Sequence, residues 1–109
     1  MAYDEKLAER VRAALGRTQS VTERKMFGGV AFMVRGNMCC GVIDDRLMVR
    51  VGPVAYDRAL KLKHAGPMDF TGRSMRGLVY VAPEGVRTAR QLRTWVERAL
   101  DFVSTLPAK

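Results

Sequence analysis

Between Val21 and Val51 the pattern takes a period of two, clearest in Val30 to Val34 and Leu47 to Val51, and short turns interrupt it. That pattern excludes an all-helical fold, because a period of two places alternate side chains on opposite faces of a strand. Val30, Phe32 and Val34 share one face of a strand, with Ala31, Met33 and Arg35 on the other. Gly36-Asn37 follows, a dipeptide suited to the positive backbone angles of a tight hairpin turn. Met38 to Ile43 is apolar on both faces, which predicts a central strand. Asp44-Asp45-Arg46 is the next turn, and Leu47, Val49 and Val51 alternate with Met48 and Arg50 in another strand. The segment from Val21 to Phe27 forms a further strand, with Gly28-Gly29 at the bend where a side chain would clash.

Helical periodicity flanks this meander. Leu7, Val11, Ala14 and Leu15 form a stripe over residues 3–15, with Asp4 as an N-cap or first-turn acid and Gly16 at the stop. Gly52-Pro53 ends the meander, proline being tolerated in a first helical turn, and Val54 to Lys63 is then a short helix with Ala55, Ala59, Leu60 and Leu62 facing inward. The stretch HAGPMDFTGRS reads as loop or edge strand, because Gly66, Pro67 and Gly72 interrupt it. Gly77 to Ala82 is a strand. Thr88 and Gln91 have capping-box spacing ahead of Leu92, Val96, Ala99, Leu100 and Val103, a stripe widened by Trp95 and Phe102, and the helix ends near Thr105. Runs of strands, rather than strict strand–helix alternation, indicate an α+β fold of order α-β-β-β-β-α-β-β-α. The 109 residues form a single domain, and 48% of them are hydrophobic, enough for a core without disulfides or metals.

Nineteen basic residues against 11 acidic ones give a net charge of +8, which favours polyanionic partners such as DNA. The positive residues are scattered singly or in pairs, so the same excess can serve solubility. If DNA is contacted, the candidates are Arg24 and Lys25 beside the glycine bend, and Arg73 and Arg76 on a glycine-flanked loop. No apolar run approaches the ~20 residues of a membrane span. The N-terminus is charged from its fourth residue, so a cytoplasmic location is expected.

No catalytic constellation is visible. Gly28-Gly29 lies between strands, without the helix start and Lys-Ser/Thr of a phosphate loop. Cys39 and Cys40, as strand neighbours, are expected on opposite faces as reduced core residues, and they lack metal or redox spacing. The methionines share no ligand spacing and read as gap-filling core or, where exposed, an adaptable protein-binding surface. His64 is placed at a helix C-terminus, and with Asp69 or Ser74 it matches no triad order. Asp44-Asp45 are turn formers. No cofactor and no metal are expected.

The order RKMFGGVAFMVRGNMCCGVIDDRLMVRVGP, GPMDF, MRGLVYVAPEG and LRTWVERAL resembles the TfoX/Sxy N-terminal-domain family over Tyr3 to Leu106. Met26, Phe27, Gly28 and Gly29 carry the most specific part of the likeness. The resemblance implies a secretion-chaperone-like two-layer sandwich of one antiparallel sheet and flanking helices, with no catalytic activity. It also implies a regulatory or adaptor role like that of competence transcriptional co-activators, whose founding members carry a second, C-terminal domain. The expectation is therefore a stand-alone N-terminal domain that contacts the transcription machinery or a regulator, with direct DNA contact or homodimer formation as further options.

Overall fold

The computed structural model describes residues 3–16, 18, 20–26, 28–69 and 74–108. Asp4 starts α1 (Glu5–Ala14), its carboxylate accepting the Lys6 and Leu7 N–H groups at 2.9 and 3.1 Å. These are donors that a first helical turn leaves unpaired. Then come β1 (Val21–Met26), β2 (Gly29–Val34), β3 (Asn37–Ile43), β4 (Arg46–Arg50), α2 (Gly52–Leu60), β5 (Ala65–Asp69), β6 (Ser74–Val81) and α3 (Ala89–Val103). The strands form one antiparallel open sheet in the order β1-β2-β3-β4-β6-β5, so the α+β fold and the element order are as expected. The doubly apolar β3 is an interior strand. The interrupted segment after α2 is the edge strand β5, where Pro67 needs no partner on its outer side.

Four details depart from the sequence reading. The β2–β3 turn is Arg35-Gly36, both at positive φ (51° and 81°), and Asn37 belongs to β3. That register lets the buried Asn37 donate its side-chain N–H to the Pro107 carbonyl at 2.9 Å. α2 starts two residues earlier than Val54, and Tyr56, not Ala55, is buried beside Ala59, the face three residues apart being the one turned to the core. β6 begins at Ser74, which puts Arg76 in a strand rather than a loop. A 3₁₀ turn, Pro83–Val86, links β6 to α3.

In the β1–β2 turn Gly28 has φ +75°, and a Cβ on Gly29 would run into the Val42 carbonyl of β3. No L-residue fits there without displacing backbone.

All three helices cover one face of the sheet. Leu7, Val11, Tyr56, Ala59, Leu92, Trp95, Val96 and Val103 pack there against Val30, Phe32, Val42, Leu47, Val49, Val79 and Val81. On α3 the capping box is complete: the Gln91 N–H donates to Thr88 Oγ1 at 3.1 Å, and the Thr88 N–H donates to Gln91 Oε1 at 2.9 Å. Such a cap contributes about 1 kcal/mol. Burial contributes roughly 1.5–3 kcal/mol for each large apolar side chain, so packing of the stripe holds this helix. No helix among the described residues is long and apolar enough to cross a membrane.

Arg12 on α1 grips Glu23 on β1 through two hydrogen bonds of 2.5 and 2.7 Å. That hydrogen bonding lowers the Glu23 pKa. Both side chains are more than a third exposed, so solvent screening keeps the contribution below about 1 kcal/mol. A depressed carboxylate stabilises above its unfolded pKa and ceases to do so as pH falls through its folded value. Glu23→Gln is therefore expected to lower the urea midpoint slightly at neutral pH and to leave it unchanged in strong acid. Thr88→Ala is expected to cost about 1 kcal/mol at both pH values. Urea melts at the two pH values check both expectations.

Candidate functional site

The hydrogen-bond register decides which side chains share the face that the helices leave open. One row crosses all six strands: Arg24, Ala31, Gly41, Met48, Tyr80 and Gly66. On one side of it lie Met26, Gly29, Ile43 and Arg46; on the other lie Met33, Met38, Arg50 and Leu78. Ile43, Met48, Leu78 and Tyr80, with Met38 against them, form an apolar cluster made entirely of strand residues.

This cluster is nearly closed to solvent although no helix covers it. Met48 is 1% exposed and Tyr80 9%. Met48 lies over Gly41, where a Cβ would stand 2.8 Å from its Cε. The Arg46 guanidinium sits 4.0 Å from the Tyr80 ring centroid and 3.5 Å from Asp44. Arg50 donates to the Met38 carbonyl at 3.3 Å and lies 5.4 Å from the Phe102 ring. The two arginines thus lay their aliphatic stems along the apolar floor and keep their charged ends at its surface. Burial raises the Tyr80 pKa, and the nearby Arg46 charge partly offsets the rise.

The residues singled out from the sequence do not form one patch. Arg24 lies on the open face. Lys25, its neighbour in the strand, points to the other side, 5.4 Å from the Tyr3 ring. Arg76 sits four strand positions away, roughly 19 Å at ordinary strand spacing. There it pairs with Asp57 at 3.3 Å beside Tyr56. Arg73 and Phe27 lie outside the described residues. Arg46, Arg50 and Tyr80 were not singled out, although the signal was present: Arg46, Met48 and Arg50 alternate with the core residues Leu47 and Val49.

The cysteines correct the sequence reading. The β2–β3 register shifts between Phe32 and Met33, so Cys39 is an extra residue in β3. Such a bulge breaks the alternation, and both cysteines fall in the main core at 0% exposure. Hydrogen bonding between the two thiols, then burial, pushes the Cys40 pKa well above its ordinary value. Among the described residues no group of three or more His, Cys, Asp or Glu could hold a metal ion.

His64 is not at a helix C-terminus. It turns the chain into β5 at φ 72°, four residues beyond the end of α2. Asp69 and Ser74 are paired at the far end of β5, roughly 16 Å away along the strand, and their side chains lie outside the described ones.

A sheet with this strand order, helices on one face and a bulge in β3 is the structural context of the MFGG stretch. The family model for the TfoX N-terminal domain matches residues 13–103. The chain belongs to the TfoX N-terminal domain family. No curated protein and no solved structure matches it. At family level this is a competence-related regulatory or adaptor domain, and the TfoX N-terminal domain is not an enzymatic family.

The buried thiol pair gives a direct check on the bulge. Neither cysteine is expected to react with iodoacetamide in the native protein, and both are expected to react in denaturant. Rapid native labelling of either thiol, read by mass spectrometry, would contradict the geometry.

Proposed function

We propose that this TfoX N-terminal domain is a non-catalytic regulatory adaptor that docks a protein of the transcription apparatus on the open face of its sheet. One observation carries the reading: arginine, methionine and tyrosine side chains share a face that no helix covers. Protein interfaces are enriched in these three residue types and depleted of Lys, Glu and Asp at their centres. The partly exposed Met33 and Met38 beside the buried floor can adapt to a partner's shape, while Arg46 and Arg50 supply charge at its surface. Sheet edges are a weaker route to a homodimer. The β1 edge exposes Glu23, Arg24 and Lys25, and the β5 edge contains Pro67, devices that discourage strand addition.

The net charge of +8 favours direct DNA contact as a second reading. Salt separates the two. Phosphate binding weakens steeply with added salt, whereas docking that combines apolar contact with two arginines weakens far less. The test compares the wild type with Arg46→Glu/Arg50→Glu for retention of purified RNA polymerase and for binding to a fluorescent random-sequence duplex. Polymerase retention that survives physiological salt and drops about tenfold in the variant is the expected result. Retention indifferent to the variant, or binding confined to DNA and lost with salt, would overturn the protein-docking reading.

A further inference from the structure

A separate concavity lies between the turn that follows α2 and the first turns of α3, with a volume of about 430 Å³. This falls within the size range of small-molecule sites. Leu62 and Trp95 supply its apolar lining, and the Arg98 guanidinium lies 5.4 Å from the Trp95 ring centroid. Lys63, Arg90 and Arg98 are exposed around it, and no acidic side chain lines it. Among the described residues none of these three cations has a carboxylate within 4.0 Å.

The walls are held in place without an occupant. The His64 carbonyl accepts the Ala82 N–H at 2.9 Å, and a Cβ on Gly85 would stand 2.8 Å from His64 Cβ, so the two turns touch. Arg10 donates to the Val86 and Arg87 carbonyls at 2.6 and 3.2 Å, tying the 3₁₀ turn to α1. The backbone of the walls is therefore fixed before a ligand arrives, and the ordering cost falls on the exposed Lys63, Arg90 and Arg98 side chains.

We infer that this cavity binds a small anion that joins a planar aromatic ring to a phosphate through a short linker, of about the size of a nucleoside monophosphate. The ring packs on Leu62 and the small part of Trp95 left open to the cavity (6% exposed), beside the Arg98 guanidinium, where apolar contact and cation–π attraction act together. The phosphate meets Arg90 and Lys63, whose charges no carboxylate offsets. Bare phosphate would lack the apolar contact, and an uncharged nucleoside would lack the cations. The site shares no residue with the open face of the sheet, so it stands or falls independently of the docking proposal.

Trp95 is the only tryptophan in the chain, so its fluorescence reports on this cavity. The experiment titrates the protein at low salt with adenosine monophosphate, adenosine and inorganic phosphate, each separately. Saturable quenching by adenosine monophosphate is expected, with adenosine and phosphate at least about tenfold weaker, a difference of about 1.4 kcal/mol. Arg90→Glu/Arg98→Glu and, separately, Lys63→Ala are expected to weaken the response with unchanged circular dichroism. Arg58→Glu, a charge reversal on exposed α2, is expected to leave it intact. Absence of saturation by millimolar adenosine monophosphate would overturn the inference. So would inorganic phosphate binding as tightly as the nucleotide, or a folded Lys63→Ala variant that titrates like the wild type.

Discussion

The approach of β2 to β3 is the constraint on which both faces of the sheet depend. It is reciprocal: a Cβ on Gly29 would collide with the Val42 carbonyl, and one on Gly41 with the Val30 carbonyl at 2.6 Å. Two strands packed this closely cannot carry side chains at those points. The adjacent bulge at Cys39 adds local twist to the same pair. On the helix side the bulge delivers both cysteines to the core. On the open side the missing side chains leave a shallow trough along Gly29, Ala31 and Gly41, which Met48 reaches across. The apolar floor between the arginines thus follows from backbone geometry as much as from side-chain choice.

Much of this fold was legible in the sequence where local chemistry and tertiary structure agree. Asp4 and Thr88 mark helix starts because their side chains satisfy donors only a few residues away. The strands of the meander were readable because one face of each must be apolar. Legibility failed where the backbone departs from the common pattern. Arg35 takes a positive φ that a non-glycine residue seldom adopts, so the turn lies one residue earlier than Gly36-Asn37 suggests. The bulge at Cys39 breaks the alternation on which the thiol reading relied. The candidate site was hidden for another reason. Alternation shows that Arg46 and Arg50 oppose the core, but only the register of β4 on β6 puts Tyr80 beneath Arg46 and Leu78 beside Arg50. The choice of Arg24, Lys25 and Arg76 rested on charge and nearby glycine, which carry no information about distance across a sheet.

The distribution of positive charge bears on what it is for. Exposed ion pairs such as Arg12–Glu23 and Arg76–Asp57 contribute less than about 1 kcal/mol each, a small share of the stability of a domain this size. The fold therefore does not require most of its 19 basic residues. Among the described residues, the open face of the sheet and the cavity beside α3 both gather them with an apolar surface beside them. At both, a guanidinium lies over an aromatic ring, Arg46 over Tyr80 and Arg98 over Trp95.

Strands β4 and β6 divide their work by face. Leu47, Val49, Val79 and Val81 are fully buried beneath the helices and hold the two layers together. Arg46, Met48, Arg50 and Tyr80 alternate with them on the open side, and of these Arg50 reaches the Phe102 ring of α3. Because the period is two, a change confined to the second set leaves every cross-layer contact of the first in place. Reversing Arg46 breaks only its exposed pairing with Asp44 and its seat on Tyr80, whereas reversing Arg50 also takes a donor from the part-buried Met38 carbonyl. Stability and recognition are thus separable within the same ten or so residues of sheet. A defect caused by reversing these arginines in a protein that still melts normally belongs to what the open face binds.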